Sequence, residues 1–128
     1  YMQKINTKAM ELGVKSFFIH ICGEQNKNLE YWQEIPMTKQ TIVSVGREIE
    51  LGKAMEMFPE QIIAGNVDPT IIQEGRAEEV LEQSRECIAV AKYHPGGYVL
   101  MAGCDVPPQA PPVNVFQLVK AAREYGRY

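Results

Sequence analysis

The chain has 128 residues, 45% of them hydrophobic, and a net charge of −3, which suits one globular domain or a piece of one. The negative charge argues against sequence-independent binding to nucleic acid or anionic membranes, and no apolar run approaches the roughly 20 residues of a membrane helix. The three cysteines, an odd number, make a poor disulfide framework and indicate a reducing, cytoplasmic location.

Helical patterns and apolar runs alternate along the whole chain. The first helix reaches residue 12, where Gly13 is a natural C-terminal cap, and its start in mid-pattern predicts that a larger protein has been cut here. Strands are predicted at residues 14–22, 41–45, 61–66 and 98–104. Helices are predicted at residues 29–35, 48–58 and 76–92. Two more are predicted, one that starts at Asp68-Pro69 and one that follows the proline-rich turn at 107–112.

This strict alternation predicts an α/β fold with four parallel strands and right-handed crossovers. Four βα units amount to half of an eight-unit barrel, or to a small open sheet. The start in mid-helix favours half of a (β/α)8 TIM barrel, with residues 1–128 as a single domain.

The first strand ends in two side chains that are able to bind a metal. Because strand side chains alternate between two faces, His20 and Cys22 point the same way, while Phe17, Ile19 and Ile21 point the other way. The run is apolar on both faces, as in a buried parallel strand. Its C-terminal end is where parallel α/β folds carry their chemistry. Taken alone, however, a His-x-Cys pair on a strand is more often a packed polar residue beside a buried thiol.

The other strands also deliver polar groups at their C-terminal ends, which converge on one rim of a barrel. Strand four gives a further cysteine, Cys104. Strand three gives Asn66 and Asp68, and strand two is followed by Arg47 and Glu48. One imidazole and two thiolates form a good zinc set with a fourth position open, as in catalytic zinc sites. Such a sulfur-rich site suits a thiol substrate, whose pKa zinc lowers.

Simpler interpretations exist for most of these residues. Cys104 alone does not indicate a site. Asp68 is also a typical helix cap, and Arg47 and Glu48 are typical of charged residues that solvent surrounds. Cys87 lies on the apolar stripe of the longest helix and is predicted to be a small core residue. It is the combination of His20, Cys22 and Cys104 at matching strand ends that favours zinc.

Four segments resemble the uroporphyrinogen decarboxylase superfamily, and more narrowly its corrinoid-dependent, methylcobamide:coenzyme M-type methyltransferase branch. They are His-Ile-Cys-Gly (20–23), Gly-Asn-Val-Asp-Pro (65–69), and residues 96–108 and 114–126. The resemblance covers nearly the whole chain and implies the C-terminal half of the barrel. It also implies that His20, Cys22 and Cys104 are the zinc ligands. True decarboxylases typically have a Gly-His element where Ala102-Gly103-Cys104 stands here, and they lack the paired His and Cys on the earlier strand.

The resemblance implies an enzyme that transfers a methyl group between a methylated corrinoid (cobalamin) and a zinc-bound thiol. A folate-like acceptor is an alternative, and a corrinoid protein is the expected partner. Asp68 and Glu48 are predicted as catalytic residues and Asn66 as a cofactor-binding residue. Relatives often have an acidic residue where Gly46-Arg47 stands, so Glu48 either substitutes for it or the contact is missing.

Two competing functions remain open. One is metal-free porphyrinogen decarboxylation, and the other is a non-catalytic piece that binds a corrinoid or partner and holds a structural zinc. A half-barrel leaves two sheet edges unpaired, so the isolated fragment is expected to be inactive and to self-associate or pair with the missing N-terminal half.

Overall fold

The computed structural model describes residues 1–127. In chain order the elements are α1 (Met2–Glu11), β1 (Phe18–Ile21), α2 (Leu29–Trp32), β2 (Ile42–Val45), α3 (Leu51–Met57), β3 (Ile62–Val67), α4 (Pro69–Glu74), α5 (Ala77–Ala91), β4 (Tyr98–Ala102) and α6 (Pro112–Tyr125). The strands form one parallel sheet in the order β1-β2-β3-β4, which confirms the predicted α/β fold. This order never reverses, so the sheet has no topological switch point and is consistent with a segment of a barrel.

One face of the sheet forms the hydrophobic core with the helices. Its strand residues are β-branched and almost fully buried: Ile19, Ile21, Val43, Val45, Ile63 and Val67. The predicted stripe of α5 packs here, because Val80, Ser84, Cys87 and Ala91 are all buried. Burying each large aliphatic side chain contributes about 1.5–3 kcal/mol to folding, so this face supplies much of the stability.

The opposite face of the sheet is only partly covered. Ser44 and Ala64 are buried in its centre, whereas Phe18 on β1 is 61% exposed and Val99 on β4 is 43% exposed. The prediction that the first strand is buried on both faces is therefore wrong for β1. The reason is that Phe18 and His20 lie on the face that the helices do not cover, so only the face of Ile19 and Ile21 packs into the core.

Several element ends differ from the sequence prediction. β1 begins at Phe18 instead of residue 14, because pairing with β2 begins there. β4 ends at Ala102, which leaves Cys104 in the following loop. α3 begins at Leu51 instead of residue 48, and α2 already ends at Trp32. The strand boundaries follow the pairing with the neighbouring strands, which local propensity does not record.

The start of α4 and the end of α1 agree with the prediction. The Asp68 carboxylate caps α4, because its Oδ1 accepts a hydrogen bond of 2.8 Å from the Thr70 amide. Gly13 follows α1 with a φ of +94°, a left-handed conformation that glycine adopts without steric cost. No helix within residues 1–127 has the length and apolar character needed to span a membrane.

Candidate metal centre and adjoining cavity

Three side chains that are able to bind a metal meet at the C-terminal ends of the outer strands. His20 lies in β1, Cys22 follows that strand, and Cys104 follows β4, so that the two thiols are 82 residues apart in sequence. One ligand atom from each of the three lies within 4.8 Å of the others. In a flat sheet, strands one and four would be about 14 Å apart. The curvature of the sheet and the inward direction of these side chains close that gap.

The distances fit a tetrahedral zinc ion. The Sγ atoms of Cys22 and Cys104 are 3.8 Å apart. Two sulfurs bound tetrahedrally to one zinc, each at about 2.3 Å, are also about 3.8 Å apart. His20 and Cys22 are exposed and Cys104 is half-buried, so the cluster is open on one side. The donor set therefore fits a zinc site with an accessible fourth position.

A buried serine fixes the ring of His20. Nδ1 of His20 lies 3.0 Å from Oγ of Ser44, its partner across the β1–β2 pair. The Ser44 hydroxyl donates to Sδ of Met101 at 3.8 Å, so its oxygen is free to accept the Nδ1–H of the imidazole. This arrangement leaves the Nε2 lone pair for a metal, as second-sphere partners of metal-binding histidines commonly do. Sequence analysis missed Ser44, because its role depends on a strand register that only the fold supplies.

The two thiols influence each other electrostatically. The pKa of Cys22 is raised, first by its hydrogen bond with Cys104 and then by the charge of that group, with a smaller contribution from the Glu48 carboxylate. The negative charge of a Cys22 thiolate is therefore repelled by its neighbours Cys104 and Glu48. A bound divalent cation offsets this repulsion, because thiolates are the metal-binding form of cysteine.

A cavity of about 260 Å³ opens beside the two thiols. The residues around it come from the ends of all four strands: Cys22, Gly23, Arg47, Glu48, Asp68, Pro69, Thr70, Gly103 and Cys104. Gly103 allows close packing here, because a Cβ at this position would lie 2.8 Å from the backbone nitrogen of Arg47. The structure thus brings Glu48 and Asp68 into the same cavity as two of the candidate metal ligands, Cys22 and Cys104.

Arg47 and Asp68 are held together on one wall of the cavity. Nη1 of Arg47 donates to Oδ2 of Asp68 at 2.6 Å and to Oγ1 of Thr70 at 3.3 Å. Nε of Arg47 lies 3.4 Å from the Glu48 carboxylate. Burial raises the pKa of Asp68, but the hydrogen bonds from Thr70 and Arg47 outweigh it, and the net pKa is lowered. Asp68 is therefore ionised at neutral pH. Its Oδ1 accepts a hydrogen bond from the Thr70 amide at the start of α4, and its Oδ2 accepts one from Arg47.

The structure does not bring Asn66 into this cavity. Its amide nitrogen donates to the carbonyls of Gly46 at 3.1 Å and Ile49 at 2.7 Å, and its oxygen lies 3.8 Å from Sγ of Cys87. Asn66 instead lines a second cavity, which residues of α5 such as Gln83 and Cys87 also border. It follows Gly65, whose φ of +139° departs from regular strand geometry, so simple alternation does not give its direction.

Comparisons with known proteins agree with this architecture. The family model described as uroporphyrinogen decarboxylase (URO-D) matches residues 1–125. Methylcobamide:CoM methyltransferase MtbA of Methanosarcina acetivorans is 29% identical over 126 residues, which cover 98% of this chain. The protein of the same name from Methanosarcina mazei is 27% identical over 126 residues, again 98% of this chain. The chain spans about a third, 34%, of the length of each relative. Because the family model covers nearly all of the sequence, the chain belongs to the uroporphyrinogen decarboxylase family.

Proposed function

We propose that the chain supplies the zinc site of a corrinoid-dependent methyltransferase, which transfers a methyl group between a methylated corrinoid and a thiol acceptor. The observation that carries the proposal is the meeting of one imidazole and two thiols within 4.8 Å, beside an open cavity. The resemblance to two methylcobamide:CoM methyltransferases supports the choice of reaction and of a coenzyme M-like thiol acceptor. For the whole enzyme, we propose a methylated corrinoid as the methyl donor and a corrinoid protein as the partner that carries it.

Within this proposal, His20, Cys22 and Cys104 hold the metal. Zinc, when bound, is a Lewis acid that lowers the pKa of a coordinated thiol. The Nδ1–H of His20 is held by Ser44, which orients the ring and keeps Nε2 available. The exposed side of the cluster gives the acceptor access from the cavity.

The two carboxylates of the cavity have different proposed roles. The side chain of Glu48 is 37% exposed, and within residues 1–127 its carboxylate has only one polar contact, at 3.4 Å to Arg47. We assign it as the group that takes the proton of the incoming thiol on its carboxylate. Both oxygens of Asp68 are already engaged by Thr70 and Arg47, so we assign Asp68 as a positioning residue that fixes the guanidinium.

Asn66, predicted as a cofactor-binding residue, has another role in this proposal. Its amide holds the loop between β2 and α3 through two backbone carbonyls, those of Gly46 and Ile49. That loop carries Arg47 and Glu48 into the cavity. Asn66 therefore acts on the site through the position of this loop.

Metal binding by the chain tests the first part of the proposal. Wild-type protein is expected to bind one equivalent of zinc, Cys104→Ser to bind it much more weakly, and Cys87→Ser to bind it like wild type. Cys87 is the matched control because it is a cysteine of the same chain that lies in the core. Equal zinc binding by wild type and Cys104→Ser would remove Cys104 from the site.

The acceptor is tested in the full-length protein by zinc X-ray absorption spectroscopy. Addition of coenzyme M or of 2-mercaptoethanol is expected to add one sulfur to the zinc coordination shell. If no thiol changes the shell, the proposed acceptor chemistry is wrong. Porphyrinogen turnover by metal-free protein would instead identify the enzyme as a decarboxylase. A zinc-loaded full-length protein with neither activity would indicate a structural zinc.

A further inference from the structure

The thiol pair has a property that metal binding does not use. Sγ of Cys22 and Sγ of Cys104 are 3.8 Å apart, and no disulfide joins them. A disulfide bond is about 2.05 Å long, so the two sulfurs need to approach by only about 1.8 Å. Cys22 is exposed and Cys104 is half-buried, so small oxidants have access to both sulfurs. Cys87 is buried, its Sγ lies 3.8 Å from the Asn66 side-chain oxygen, and it does not line the cavity that Cys22 and Cys104 share.

The surroundings of the two cysteines show which one is able to move. Gly103, next to Cys104, is packed so closely that a Cβ would lie 2.8 Å from the nitrogen of Arg47. Gly23, next to Cys22, has open space where a Cβ would stand, and its φ is +74°. Cys104 is therefore held in place. Cys22, which this unobstructed glycine follows, supplies the movement that closes the gap.

We propose that Cys22 and Cys104 of the metal-free protein are a modification site, which a hydroperoxide or a low-molecular-weight disulfide converts into an intramolecular disulfide. This inference rests on the proposed function, since the same two sulfurs are the proposed zinc ligands. Oxidation removes both from the donor set and leaves only His20. Zinc loss and disulfide formation are then linked, because the sulfurs that bind zinc are not available for oxidation.

The chemistry balances with either oxidant. The two thiols lose two protons and two electrons, and the Sγ–Sγ bond forms. Hydrogen peroxide takes up these protons and electrons and becomes two molecules of water. With oxidised glutathione, the first thiolate breaks the glutathione disulfide to give a mixed disulfide and one glutathione. The second cysteine then attacks the protein sulfur and releases the second glutathione, so that thiol reductants reverse the modification.

The test treats chelator-stripped wild-type chain with oxidised glutathione, quenches it with acid, alkylates the free thiols under denaturing conditions and maps the peptides by mass spectrometry. The expected result is the loss of two of the three free thiols, with a monomer lighter by two hydrogen atoms and a cross-linked peptide pair containing Cys22 and Cys104. Cys87 stays alkylated and is the internal control. Dithiothreitol restores all three thiols.

Other products would overturn the inference. A stable glutathione adduct on Cys22 with Cys104 still free, or disulfide-linked dimers, would show that the two sulfurs do not close on each other. Cys104→Ser is expected to stop at the mixed disulfide, and cross-linking that persists in this variant would also refute the pairing. A zinc-loaded arm separates this inference from the proposed function. If the disulfide forms equally fast with and without zinc, the shared metal site is wrong while the modification site stands.

Discussion

Substitution of Asp68 separates its role as a helix cap from its pairing with Arg47. The Asp68→Ala change removes the oxygen that accepts from the Thr70 amide at 2.8 Å, and loss of such an N-cap costs about 1 kcal/mol. It also removes the partner of Arg47, but that side chain is 48% exposed and solvent screens the pair, so this loss adds little. The bond from the Asp68 backbone nitrogen to Gln83 is unaffected, because it involves no side-chain atom of residue 68.

Asp68→Asn is the matched variant, because asparagine caps helices as well as aspartate but carries no charge. Urea denaturation is the assay. With a dependence of about 2 kcal/mol per molar urea, Asp68→Ala is expected to lower the midpoint by about 0.5 M and Asp68→Asn by much less. Asp105→Ala, an exposed aspartate in the loop after β4, is the control and is expected to leave the midpoint almost unchanged. Equal losses in Asp68→Ala and Asp68→Asn would refute the capping argument.

The same variants give a pH test. The pKa of Asp68 is lowered in the folded protein from its ordinary value of 3.8, because the Thr70 and Arg47 hydrogen bonds outweigh the effect of burial. A lowered folded-state pKa stabilises the protein above the ordinary value, and this contribution is lost as the pH falls through the lowered value. The stability difference between wild type and Asp68→Asn is therefore expected to be complete at neutral pH and to shrink below about pH 4. A difference that grows on acidification would contradict the assigned direction.

Three further substitutions test other parts of the structure. Ser44→Ala is expected to weaken zinc binding about 10- to 100-fold, measured by competition with a chromophoric chelator, because it releases the ring of His20; an unchanged affinity would contradict this role. Gly65→Ala is expected to cost about 2–3 kcal/mol in urea denaturation, since its φ is +139° and the new Cβ would lie 2.9 Å from the Val45 carbonyl; a smaller loss than in the Gly52→Ala control would refute the strain argument. Asn114→Ala is expected to cost about 2 kcal/mol, because two carbonyls near the end of α4 lose their donor; a thermal midpoint like that of wild type would contradict it.

The convergence of the candidate metal ligands could be predicted from the sequence, because it follows from topology alone. Once alternating strands imply a parallel sheet, the ends of the first and fourth strands lie on the same rim, and His20, Cys22 and Cys104 lie at those ends. This prediction needs neither an accurate register nor accurate strand boundaries. It held although Cys104 lies beyond the end of β4.

Features that depend on register or on local backbone geometry could not be predicted in this way. The contact between Ser44 and His20 exists because these residues are partners across two strands, and no spacing within either strand records that. The position of Asn66 at a strand end does not give the direction of its side chain, because Gly65 beside it departs from regular strand geometry. The start of α3 at Leu51 was not predictable for a related reason, since the carbonyl of Ile49 accepts a hydrogen bond from the Asn66 side chain.

The close packing at Gly103 has a consequence for efforts to change the shape of the cavity beside the candidate metal ligands. A side chain at position 103 would meet the backbone of Arg47 at 2.8 Å and the carbonyl oxygen of Asn66 at 3.2 Å. Randomising this position would therefore yield mostly misfolded proteins, although it borders the cavity. Arg47 and Thr70 also border the cavity, with a contact of 3.3 Å between their side chains. A library restricted to these two positions would vary the cavity wall while leaving Gly103 and the proposed proton acceptor Glu48 unchanged.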